Sequence, residues 1–235
     1  MQKRTKIIIA SIVAGALALG ATAAIAGPIV YRDLIVGEAD AAPSVTAAPT
    51  ASSDADASAS TTDLSGEWTV ADGSYAGYRV DEVLNGTDVT VTGRTAEVDG
   101  TLTVDGLSLT GAEFTVDVAS ITTDSANRDD YFRSTALRTD EFPTATFVLT
   151  EPISVAEAPA VGEVQQVAAT GELTLAGETR QVTVELEAVL DGATGQVAGS
   201  IPITFADYGV EAPNLGFVSV EPDGFVEFSL ELERA

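Results

Sequence analysis

From Leu64 to the C-terminus, apolar residues alternate with Thr, Asp and Glu in short runs separated by glycine turns. Val182, Val184, Leu186, Ala188 and Leu190 fall on one side of an extended chain, with Thr183, Glu185 and Glu187 on the other. Val226, Phe228, Leu230 and Leu232 alternate in the same way with Glu227, Ser229, Glu231 and Glu233. A period of two predicts half-buried antiparallel strands. Further candidates are Trp68 to Ala71, Tyr78 to Leu84, DVTVTGRTAEV, TLTV, LSLTGAEFTVDVASI, TATFVLT, VAATGELTLAG and GQVAGSIPITFADYG. Asp99-Gly100, Asp105-Gly106 and Asp191-Gly192 punctuate them, and Asn85-Gly86 is a strong hairpin signal. Asn85-Gly86-Thr87 also fits a glycosylation acceptor, but the turn is the preferred reading.

One stretch, Asn127 to Phe147, breaks the rhythm. Tyr131, Phe132, Ala136 and Leu137 recur at spacings that suit one face of a short helix, with Arg128, Arg133 and Arg138 interleaved, until Glu141-Phe142-Pro143 stops it. A helix this short is not stable alone in water, so its aromatic face is expected to be buried as a plug or lid on the β-structure. Eight or so strands with one apolar face each require a closed barrel or a two-sheet sandwich. Strand length and the helical interruption favour the barrel. The expected fold is all-β with a short helical insert, an eight-stranded antiparallel barrel with a lumen of Val, Leu, Ala, Ile and Phe.

The segment before Leu64 obeys different rules. Met1 to Lys6 is basic, and Ile7 to Tyr31 carries no charged side chain. As a helix that run would span about 37 Å against a hydrocarbon core of about 30 Å, which predicts a signal anchor. Ala24-Ile25-Ala26 also offers a cleavage site, the alternative being a removed signal peptide. Either way, the chain beyond Arg32 is expected outside the cytoplasm, on the cell membrane or secreted. Arg32 to Asp63 is rich in Ala, Ser, Thr, Pro and Asp and reads as a flexible linker with a reach of about 30 Å. The expected organisation is therefore 1–31 anchor or signal, 32–64 linker, and 65–235 barrel.

Net charge is −25, with no lysine after Lys6, so nucleic-acid binding is disfavoured. The chain has no Cys and no His, which excludes disulfides, Cys/His zinc sites and Ser-His or Cys-His catalytic pairs. There is no Gly-x-Ser-x-Gly elbow, and Asp129-Asp130 lacks the spacing of a calcium loop. No enzyme activity, metal or cofactor is expected, and nothing in the sequence sets an oligomeric state. Arg128 and Asp129 suit either a polar head group or local pairing and helix capping. Phe132, Phe142 and Phe147 suit either a tunnel lining or plain core.

Arg128-Asp129, then Phe132-Arg133-Ser134, then Phe142-Pro143-Thr144-Ala145-Thr146-Phe147 form one motif block. Gly171-Glu172-Leu173-Thr174-Leu175-Ala176-Gly177-Glu178-Thr179-Arg180-Gln181-Val182 forms a second, and Asp117 to Thr123 a weaker third. In this order the blocks resemble the YceI-like family of lipocalin-like polyisoprenoid-binding proteins, over residues 67–234. The resemblance implies an eight-stranded barrel whose lumen holds an isoprenoid amphiphile, such as a polyprenyl phosphate or an isoprenoid quinone, for storage or transport. Candidate contacts along lumen and mouth are Val116, Val118, Ile121, Arg128, Asp129, Tyr131, Phe132, Leu137, Phe142, Phe147, Leu173 and Leu175. Tyr131 stands where relatives often carry His. The other function class that the sequence allows is a membrane-tethered β-domain acting as an interaction or structural module of the envelope.

Overall fold

The computed structural model describes residues 39–46 and 64–235. Ten strands alternate with short turns: β1 (Gly66–Leu84), β2 (Thr87–Thr95), β3 (Val98–Asp105), β4 (Ser108–Asp117), β5 (Thr144–Leu149), β6 (Ile153–Ser154), β7 (Gln165–Leu175), β8 (Glu178–Asp191), β9 (Thr194–Thr204) and β10 (Val218–Arg234). Every pairing is antiparallel, and β10 pairs with β1 to close the sheet. β2 and β3 lie along successive halves of β1, and β6 prolongs the place of β5 beside β4. The ten segments thus act as the staves of a closed eight-stranded barrel. Closure removes the unpaired edges that would otherwise template aggregation.

The two short strands expected at Trp68 to Ala71 and Tyr78 to Leu84 are one strand, β1, with a register shift between Ala71 and Tyr75. Ser74 holds this irregularity: its hydroxyl donates to the Ala71 carbonyl at 2.8 Å and accepts from the Glu231 N–H at 2.9 Å. The extra residues disguise the period-of-two pattern while the strand continues. At the β1–β2 turn Asn85 and Gly86 have φ of 52° and 79°, the left-handed pair that a two-residue hairpin requires.

The insert falls where the pattern breaks. Helix α1 (Ala126–Tyr131) runs into a π-helical turn at Phe132–Ala136, and Arg138, at φ 52°, ends it. It joins β4 to β5 across one end of the barrel, the end that also carries the β1–β2 and β7–β8 turns. Beneath it Val118, Ile121, Leu137, Leu173, Leu175, Val184 and Ile201 form one core cluster. A second cluster, Trp68, Ala76, Val98, Leu102, Ala112, Leu230 and Leu232, lies toward the other end.

Part of the expected flexible linker is placed differently. Residues 39–46 lie against the outer wall: Arg79 donates to the Asp40 carbonyl at 2.7 Å and Arg94 to the Ala41 carbonyl at 2.8 Å. The Val45 N–H then donates to Glu187 and the Thr46 N–H to Gln196. Since β10 lies between β1 and β9 in the sheet, the segment crosses it from outside. Main-chain carbonyls take arginine donors whatever the side chain, which composition does not reveal. The expected anchor or signal at 1–31 lies outside the described residues. Among the described residues no helix is long and apolar enough to cross a membrane.

A one-ended apolar lumen as the candidate functional site

Alternation along the strands sends one set of side chains inward, and that set encloses a cavity of about 270 Å³. An engineered apolar cavity of about 150 Å³ already stays dry and takes up a small hydrocarbon, so this lumen has the size and chemistry for an apolar ligand. β10 supplies Val226, Phe228, Leu230 and Leu232, and β8 supplies Val184, Leu186, Ala188 and Leu190, the faces expected from the sequence. Several inward residues, among them Phe114, Val116, Phe147, Leu186 and Phe228, are only half-buried although they point into the barrel. They border the hollow and also pack against the two buried clusters.

The hollow depends on how its aromatic rings are stowed. Phe114 pairs in register with Gly100, and Phe228 with Gly199, while Phe147 lies over Gly171. A Cβ on any of these glycines would overlap the ring beside it. Each ring therefore lies against the wall instead of projecting across the lumen. Gly171 makes room for Phe147.

The two ends differ. The lining residues exposed to solvent, Gly106, Leu107 and Glu163, all lie at the end carrying the β3–β4 turn and the segment between β6 and β7. The cavity opens there. At the opposite end the insert acts as a stopper. Phe132 stacks on Tyr78 with ring centroids 4.9 Å apart and planes 14° apart. Arg128 bridges Glu82 on β1 at 3.2 Å and Asp124 at 2.5 Å, and Glu82 is buried. The buried Asp129 carboxylate accepts from the Thr123 N–H at 2.9 Å and the Thr123 hydroxyl at 2.7 Å. Burial pushes the Tyr78 hydroxyl well above its ordinary value; Arg128 opposes the shift, while Asp129 and Glu82 add to it.

Of the candidate residues, Val116, Phe147 and Leu173 line the cavity. Val118, Ile121, Leu137 and Leu175 are buried in the cluster beneath the insert and do not border it. Phe142 packs over Gly177 with Arg138 stacked on its ring at 4.9 Å. Arg128, Asp129, Tyr131 and Phe132 are also off the cavity wall, and Arg128 and Asp129 make the local pairing that was the alternative to a head-group site. The reason is topological: the insert joins strand ends at the stoppered end, and its charges are consumed by Glu82, Asp124 and Thr123. Sequence reading missed Gln165 and Glu163, two polar residues at the open end. Gln165 begins a strand whose alternation continues through Val167 and Ala169, and that phase was the available signal. Among the described residues no group of three or more acidic side chains is placed to hold a metal ion.

A closed antiparallel barrel, stoppered by a short helix at one end and open to an apolar lumen at the other, defines a lipocalin-like class of small β-barrels. Within that class the chain belongs to the YceI-like family, whose domain model matches residues 50–232. Solved structures of similar shape include a polyisoprenoid-binding domain from Saccharophagus degradans implicated in plant cell wall breakdown. It is 22% identical, with a TM-score of 0.60, covering 72% of this chain and 98% of that one. Another is BcnA from Burkholderia cenocepacia, 23% identical with a TM-score of 0.51, covering 66% of this chain and 95% of that one. At these identities the likeness concerns the fold. No curated protein matches the chain.

Proposed function

We propose that this protein is an extracytoplasmic binding protein for a long-chain isoprenoid amphiphile, a polyprenyl phosphate or an isoprenoid quinone, which it stores or carries without turning it over. The observation that carries the reading is the apolar lumen open at one end, in a domain of the YceI-like family. Removing an isoprenoid tail from water is favourable by about 0.8 kcal/mol per methylene, so a few prenyl units suffice for tight binding without a strong polar contact. Moving the same tail from a bilayer into the lumen exchanges one apolar medium for another, and reversible loading is the natural consequence. The uncharged run Ile7 to Tyr31 behind a basic start supports placement at, or beyond, the cell membrane.

The test is mass spectrometry of an organic extract from the full chain after purification. A prenyl lipid is expected in the wild type and lost in Leu173→Glu, which sets a charge in the lumen wall. Because that change also threatens folding, Ala188→Phe is the companion: it fills the cavity with apolar volume and is expected to keep the fold while losing the lipid. Equal lipid content in wild type and a folded Ala188→Phe would sink the lumen as the site.

A further inference from the structure

We infer that the open end selects an isoprenoid lipid with an uncharged polar head, Gln165 being the hydrogen-bonding residue and the surrounding carboxylates turning phosphate away. The inference rests on the lumen being the lipid site and sharpens that reading.

The polar residues of the lining are Ser108, Thr146, Glu163 and Gln165. Thr146 pairs in register with Thr174, which lies between the inward Leu173 and Leu175, so its side chain points out of the barrel. The Ser108 hydroxyl is taken by that of Ser154 at 2.8 Å. Gln165 is different. It pairs with Ala188, a lumen residue, and so faces inward at the first position of β7; it is half-buried, and its amide makes no hydrogen bond to any described residue. A half-buried amide without a partner is a ready acceptor and donor for a hydroxyl or carbonyl.

Carboxylates predominate around it: Glu163 lines the mouth, Asp105 sits in the chain between the lining residues Val104 and Gly106, and Glu157 is exposed between the lining residues Val155 and Pro159. Arg234 is the one described arginine at this end; it stacks on Trp68 at 5.6 Å and donates to the Ser65 carbonyl at 2.8 Å. The other described arginines lie on the outer wall, in the insert or in β8 beside the Ala176–Gly177 turn. An anionic head emerging here meets carboxylates, whereas a neutral head meets the Gln165 amide and loses nothing to them.

The experiment incubates the full chain with equimolar farnesol, farnesyl phosphate and farnesene, which share a tail and differ in the head, then quantifies what is retained after re-purification. Wild type is expected to keep farnesol over farnesyl phosphate by about tenfold, the preference shrinking as salt screens the rim. Glu163→Lys is expected to narrow that ratio severalfold. Gln165→Leu is expected to lower farnesol severalfold with farnesene unchanged, which also reports an intact lumen. Farnesyl phosphate retained as well as farnesol, or a ratio that neither variant moves, overturns the inference while leaving the lumen reading in place. Retention of none of the three, farnesene included, overturns the lumen reading itself.

Discussion

The two ends of this barrel use the same strands for opposite purposes. At the stoppered end, Arg128 ties the insert to Glu82 on β1, Asp129 closes on Thr123, and Tyr78 and Phe132 stack over a tightly packed cluster. Away from the stopper the strands enclose an apolar lumen, aromatic rings along its wall lie against glycines, and Glu163 stands at the open rim. Closing a barrel at one end lets the other remain hollow without the whole structure losing its core. The difference teaches that polar chemistry in this fold divides by location: Arg128, Glu82 and Asp129 at the stopper are satisfied internally, and the Gln165 amide at the mouth is left for a ligand or for water.

That contrast can be broken at the stopper first. Asp129→Ala leaves the Thr123 N–H and hydroxyl without their acceptor and removes two hydrogen bonds to a charged group. It is expected to lower stability by about 3 kcal/mol, read from the urea midpoint at unchanged slope. A loss under about 0.5 kcal/mol would mean the stopper is not held as described, since changes that small are typical of surface sites. Gly199→Ala attacks the hollow end. Its Cβ would overlap the Phe228 ring and the Leu186 side chain, driving them toward the lumen. The expected result is a cost of about 1–3 kcal/mol together with reduced lipid retention. Unchanged retention would show that the stowed rings do not keep the lumen open.

The smallest effect is at Tyr78, and only in alkali. Its pKa is raised in the fold above the ordinary tyrosine value of 10.0, so the folded protein holds the proton after the unfolded chain has lost it. The associated stability is complete below about pH 10 and falls as pH rises beyond it. Tyr78→Phe is expected to flatten this decline while changing little near neutral pH. A decline of equal slope in the variant would assign it to other groups.

Much of this architecture was legible in the sequence. The faces of β8 and β10 read correctly because alternation depends only on strand geometry, and the Asn127 to Phe147 stretch announced a helix by switching period. Phe147 and Leu173 were legible as inward-facing residues for the same reason, since they sit mid-strand. For Arg128 and Asp129 the sequence left head-group contact and local pairing both open, and only the meeting of the insert with β1 shows Glu82 beside the arginine. Gln165 escapes a sequence reading because its role depends on which end of the barrel is open.

What the chain determined by itself was local: the period of two, the hairpin turns at Asn85-Gly86 and elsewhere, and the helical interruption, all set by backbone preference and side-chain polarity within a few residues. What only the tertiary structure decided were relations between distant residues. They include the bonding of Arg79 and Arg94 to carbonyls 39 and 53 positions away and the pairing of Gly199 with Phe228. They also include the choice of stoppered and open ends. The physical reason is that packing and ion pairing act through space, and one pattern of alternating faces is compatible with many arrangements until the strands close.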